Sequence, residues 1–243
     1  MATPSVDDTR PFEGLKISEN WRKLQTLDDR SVCERCNKSR KYFCYTCYLP
    51  VAEIKNDVPK IKLPLKVDVI KHCKEIDGKS TAIHAAVICP EDVTIYTYPA
   101  IPNYDPEKTL LVFPGKEAKS LDHWMSRTEV TFEKVIFIDS TWNQCKGIYK
   151  DARIKRLPCV VLRNRITQFW RHQNGSPRWY LSTIEAIHQF FFEYWLLVNK
   201  NEQLKSTYNG EYDNLLFFFR FMYDMIHTLY NHETLKSYKR PLE

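Results

Sequence analysis

Two short stretches of this sequence hold side chains whose types and spacing suit chemistry. The first is Asp139-Ser140-Thr141-Trp142, an acid, two hydroxyls and an indole that follow the apolar run Val135-Ile136-Phe137-Ile138. That run reads as a buried parallel strand, and in an open α/β sheet ligands bind in the crevice beyond the carboxyl ends of the strands. The second is the C-x2-C-x7-C-x2-C pattern of Cys33, Cys36, Cys44 and Cys47. Two such pairs can place four thiolates tetrahedrally around a d10 ion, which suits zinc. All four positions are then filled, so the metal would be structural. Without a metal the same residues would be thiols in a surface hairpin. Cys73, Cys89, Cys145 and Cys159 have no comparable pairing and read as small buried hydrophobes.

A third stretch mixes base and ring: Arg163, Arg165, Phe169, Trp170, Arg171, His172, Arg178 and Trp179. Guanidinium groups there could track phosphates while rings stack on unpaired bases. The same pattern also describes a solvated loop whose aromatics anchor it to the core. Some chemistry is excluded. The chain has only 6 glycines and no G-x-G, so neither the dinucleotide fingerprint nor the Walker loop can form.

The elements that must carry these residues follow from pattern. The chain has 243 residues, 43% of them hydrophobic, enough for one large domain with a small appendage. Leu65, Val67 and Val69 alternate as a strand ending near His72. Val93–Tyr98, Leu110–Phe113, Val135–Ile138 and Val160–Leu162 read as further short strands, with a helical pattern from Ser120 to about Arg127. Strands alternating with helices indicate an α/β fold with a largely parallel sheet. Ser80–Cys89 is ambiguous between strand and helix, with Ser80 a candidate N-cap. Ser182-x-x-Glu185 is a capping box opening an amphipathic helix to about Val198, and a second apolar helix runs from about Asp213 to Tyr230. The organisation read from this is a loose N-terminal arm over 1–30, a cysteine unit over 31–62 and the α/β domain over 63–243.

The formal net charge of +6 is compatible with a polyanionic partner. No uncharged apolar segment is long enough to span a membrane, and residues 2–10 do not form a signal peptide, so an intracellular protein with reduced cysteines is expected.

Asp139-Ser140-Thr141-Trp142 fits D-x-T-W. With the four cysteines, Val112-Phe113-Pro114-Gly115 and Leu181-Ser182-Thr183-Ile184-Glu185-Ala186 in the same order, nearly the whole chain resembles the DTW-domain family of the SPOUT-type superfamily. The resemblance implies a knotted fold, which strand pattern alone would not suggest. It also implies transfer of the 3-amino-3-carboxypropyl group of S-adenosylmethionine to N3 of a uridine in the tRNA D-loop, with the nucleus as the favoured compartment and the cytoplasm an alternative. A SPOUT-type RNA methyltransferase and a non-enzymatic zinc and RNA-binding module are the rival expectations.

On the resemblance, the cofactor would meet Phe113, Pro114, Gly115, Asp139, Thr141, Trp142, Leu181, Ser182, Thr183 and Glu185. Ser182 and Glu185 would also serve as a plain capping box. The tRNA would meet Arg163, Arg165, Phe169, Trp170, Arg171 and His172. Asp139 is the expected catalytic group, as base, as electrostatic anchor or as partner of the cofactor's ammonium. Trp142 would face the sulfonium or close the core. The oligomeric state is left open.

Overall fold

The computed structural model describes residues 10–126, 131–171, 176–199, 207–231 and 234–236. At its centre are five parallel strands: β5 (Lys66–Lys71), β6 (Val93–Thr97), β7 (Thr109–Val112), β8 (Lys134–Asp139) and β9 (Cys159–Val160), in the order β6-β5-β8-β7-β9. Every pairing is parallel, so Lys71, Val112, Asp139 and Val160 end at one edge of the sheet.

Both faces of the sheet are covered, which explains why its strands are apolar runs and not alternations. Val67, Val69, Val135 and Phe137 face a large core shared with the helices α1 (Ala82–Ile88), α5 (Thr183–Val198) and α6 (Phe217–Leu229). Ile70, Leu111 and Ile136 face a smaller core made with α3 (Trp142–Tyr149) and α4 (Ala152–Lys155), through Ile148 and Ile154. Each fully buried side chain of this size contributes roughly 1.5–3 kcal/mol. On the second face Asp68 is buried and accepts a hydrogen bond from Lys134 Nζ at 2.8 Å.

The ambiguous stretch from Ser80 is a helix, buried at every position of α1. Thr81, not Ser80, occupies its N-cap, because the Ser80 hydroxyl is committed to Asp139. The short helix α2 (Leu121–Met125) follows the Ser120 cap, as the pattern predicts. The second apolar helix is split into a 3-10 turn, Asp213–Leu216, and α6. Neither α3 nor α4 was expected. The sequence WNQCKGIY carries a glycine and only a weak apolar stripe.

The arm expected over 1–30 is packed over its described part, residues 10–30. Phe12, Trp21 and Leu24 are buried, and the 3-10 helix Glu19–Thr26 lies against α6. Trp21 fills a slot closed by the Arg220 guanidinium, 5.3 Å from its ring. Among the described residues no helix is long and apolar enough to cross a membrane.

Candidate active site and cysteine cluster

The cysteine unit is two hairpins of one design: β1 (Ser31–Val32) pairs with β2 (Ser39–Arg40), and β3 (Phe43–Cys44) with β4 (Leu49–Pro50). In each, the residue just after the second cysteine turns left-handed, Asn37 at φ 55° and Tyr48 at φ 57°. Each donates its backbone N–H to the carbonyl of the first cysteine, Asn37 to Cys33 at 3.0 Å and Tyr48 to Cys44 at 2.8 Å. Non-glycine residues rarely take this conformation, so its repetition marks an imposed geometry. The four sulfur atoms lie within 4.8 Å of one another. A tetrahedron with metal–sulfur bonds of about 2.3 Å has edges of about 3.8 Å, so the donor set fits zinc. Burial works against ionisation of Cys44, but Arg40 Nε on its sulfur and the N–H groups of Thr46 and Cys47 bring the thiol down to about 6. Such a thiol is ready to bind a cation. Of the remaining cysteines, Cys89, Cys145 and Cys159 are buried as expected, whereas Cys73 is exposed.

At the carboxyl edge of the sheet lies a cavity of about 540 Å³. Its floor comes from Val112, Phe137 and Val160, and its aromatic wall from Phe113, Trp142 and Tyr180. Trp142 and Tyr180 have ring centroids 3.9 Å apart, and Phe113 stacks on Tyr149 at 4.3 Å. Asp139 stands at the end of β8, buried, with both carboxylate oxygens engaged. Ser80 Oγ donates to Oδ2 at 2.7 Å and Thr183 Oγ1 donates to Oδ1 at 2.5 Å. Burial raises its pKa, and the two hydroxyls and Lys71 pull against that. The acid thus clasps three segments: the approach to α1, the end of β8 and the start of α5. Thr81 Oγ1 holds the same junction by accepting the Ile184 N–H at 3.3 Å.

Of the residues expected at the cofactor, the cavity gathers Phe113, Pro114, Asp139, Thr141, Trp142, Leu181, Ser182 and Thr183. Two do not face it. A Cβ on Gly115 would lie 2.8 Å from Tyr149 Oη, so this glycine makes room for the ring that backs Phe113. Glu185 is fully buried and spent on four donors: Ser182 N and Oγ, Thr167 Oγ1 and Gln168 N, at 2.6–2.9 Å. It is a capping box extended to the neighbouring loop.

The expected RNA stretch divides. Arg163 is exposed at the cavity rim, and Arg171 lines the cavity while donating to the Lys79 carbonyl. Arg165 points inward, donating Nη1 to His188 Nδ1 at 3.0 Å. Burial keeps His188 below its ordinary range and therefore neutral, and its Nε2–H serves Asp213 at 3.0 Å. Phe169 and Trp170 are buried, Phe169 in the cavity wall and Trp170 against Phe219 at 5.2 Å, so neither is an open stacking platform. The exposed ring is Trp179. His172 lies outside the described residues. The sequence reading missed Glu75, Lys79, Ser80, Thr81, Asn164 and Tyr180 at the cavity. The strand-end rule applied to β5 would have flagged the first four.

An aromatic-walled cleft at the strand ends of a covered parallel sheet, with a clasped acid at its centre, defines an α/β ligand site. The DTW domain family matches residues 41–227, and the chain belongs to that family. It is 44% identical over 257 aligned positions to tRNA-uridine aminocarboxypropyltransferase 1 of Xenopus tropicalis, covering 88% of this chain and 86% of that protein. It is 40% identical over 268 positions to tRNA-uridine aminocarboxypropyltransferase 1 of Homo sapiens, covering 92% of this chain and 86% of that protein. Among solved structures, the SAM-dependent rRNA:acp-transferase Tsr3 from Vulcanisaeta distributa is a distant likeness. It has a TM-score of 0.40 and 15% identity over 67% of this chain and 82% of that chain.

Proposed function

We propose that this protein is a tRNA-uridine aminocarboxypropyltransferase, moving the 3-amino-3-carboxypropyl group of S-adenosylmethionine to N3 of a D-loop uridine. The observation that carries the reading is the similarity to aminocarboxypropyltransferases through nearly the whole chain, with every described cavity residue inside the span matched by the family. The cavity supports it independently. Its volume suits a ligand of cofactor size, and aromatic faces favour an apolar body carrying a cation.

S-adenosylmethionine supplies a methylene carbon activated by the adjacent sulfonium. The chain's own residues do the rest. Phe113, Trp142 and Tyr180 wall the site and exclude water from one side. Asp139 holds Ser80 and Thr183 in place, so that strand, loop and helix meet in one geometry. Arg163 and Arg171 put positive charge on the rim, where a phosphate backbone would pass. Cys33, Cys36, Cys44 and Cys47 would hold a structural zinc, which fixes the cysteine unit and takes no part in the reaction.

Nucleoside mass spectrometry of tRNA incubated with the protein and S-adenosylmethionine tests the reading. The expected products are an aminocarboxypropylated uridine and methylthioadenosine. A methylated nucleoside with S-adenosylhomocysteine would make the protein a methyltransferase, and tRNA that is bound but unchanged in mass would make it a binding module.

A further inference from the structure

Two carboxylates line the cavity, and they differ in what they have left to offer. Both Asp139 oxygens already accept hydroxyl hydrogens, and the side chain is almost wholly enclosed. Its oxygens are held by those two hydroxyls and turned away from open solvent. Glu75 sits in the segment that follows β5, where its N–H closes a turn onto the His72 carbonyl at 2.9 Å. It is half-buried, lines the same cavity, and its carboxylate accepts no hydrogen bond from any described residue. A half-exposed acid with no donor on either oxygen can meet an incoming imide N–H directly, whereas an enclosed acid tied to two hydroxyls is committed to holding them.

On the transferase reading above, we infer that Glu75 is the proton acceptor of the reaction and that Asp139 is a positioning residue. As the N3–carbon bond forms, the carbon–sulfur bond breaks. The sulfur keeps that electron pair and leaves as the neutral thioether of methylthioadenosine. The imide proton passes to the Glu75 carboxylate and from there to water before the next turnover.

The surroundings of Glu75 suit this role. Burial raises its pKa, and Asp139 at the end of β8 raises it further. Arg171 from the loop after β9, Lys71 from β5 and Lys79 before α1 face it and moderate the rise. A base is most effective when its pKa approaches the working pH, and an ordinary glutamate near 4.3 lies well below it. The rate should therefore rise with pH through the Glu75 titration and then level off.

The test uses the full chain with zinc, and it has one readout that needs no turnover. In the ligand-free protein, carboxyl-carbon NMR should show Glu75, besides the buried Glu193, titrating above the ordinary range, and Glu75→Gln should remove one of these resonances. Glu75→Gln should lower turnover at saturating S-adenosylmethionine by about a hundredfold or more and abolish the acidic limb of the pH–rate profile. Its affinity for S-adenosylmethionine, measured calorimetrically, should stay within about threefold of wild type, and Glu75→Asp should recover part of the rate. A normally titrating Glu75 would overturn the inference. So would a Gln variant that keeps its maximal rate but binds S-adenosylmethionine tenfold more weakly, since Glu75 would then hold the cofactor. A wild-type protein that yields no modified uridine would refute the transferase reading itself, a result distinct from either of these.

Discussion

The cysteine unit and the strand-end cavity are both built from short signatures, yet they dispose of their side chains in opposite ways. In the cysteine unit four sulfurs converge within 4.8 Å, and Arg40 and backbone N–H groups attend to Cys44. A metal there would complete the set. At the cavity Asp139 is tied to two hydroxyls, and behind the lining Glu185 accepts four donors, but Glu75 and Arg163 keep unused capacity facing the opening. Groups tied to protein donors fix geometry, and groups with open capacity act on what enters. The distinction cuts through the signature itself, because its acid lies on the tied side.

The largest expected effect separates the two regions. Replacing Cys36 and Cys47 by serine should remove stoichiometric zinc by elemental analysis and unfold the unit, because a structural zinc site contributes roughly 10 kcal/mol or more of apparent binding energy to folding. A doubly substituted protein melting at the wild-type temperature would show that the cluster does no structural work.

Asp139→Asn should lower tRNA modification by about a hundredfold and stability by about 1–3 kcal/mol, since an amide NH2 would face a hydroxyl that now donates. The stability difference also has a pH sign. The Asp139 pKa is raised in the fold, so the folded chain binds more protons than the unfolded one just above the ordinary carboxylate range. Wild type therefore loses stability relative to the Asn variant as pH rises through that window. Urea titrations at pH 4 and pH 7 would detect a difference of the opposite sign, which would mean that the hydroxyls outweigh burial.

A smaller effect distinguishes two neighbouring arginines. Arg165→Ala should cost about 1–3 kcal/mol by leaving the buried His188 Nδ1 without its donor. Arg163→Ala should leave melting unchanged, weaken tRNA binding and reduce the logarithmic salt slope by about one. If both variants behaved alike, the inward and outward assignments would fall.

Gly115→Ala should have the mildest effect, about 1 kcal/mol, as Tyr149 yields to the new methyl. The affinity for S-adenosylmethionine should drop more than stability does, because the displaced ring supports Phe113.

The sequence showed the sheet where burial on both faces forces apolar runs, as at Val135–Ile138, and showed the cysteine cluster because ligand spacing is local. It hid α3, whose few apolar residues are diluted by Gly147 and polar side chains, so that only packing on β8 makes it a helix. Phe169 and Trp170 misled because arginines flanking aromatics look the same whether the rings face water or the core. Glu75 was invisible for another reason: nothing local links an acid after β5 to a tetrad after β8, and only the parallel pairing of those strands brings both to one edge. The knot belongs to the family resemblance alone, since neither strand order nor register requires it.

The Asp139 clasp also governs when the site can come into being. Its three members, residues 80, 139 and 183, emerge from the ribosome at widely separated times. A nascent chain that stops before Tyr180 already contains every strand of the sheet, yet one oxygen of Asp139 has no hydroxyl and the cavity lacks the wall formed by Tyr180 and Leu181. Such long-range closures form late in folding. The cavity is thereby closed only after the residues that open the helix α5 have been made.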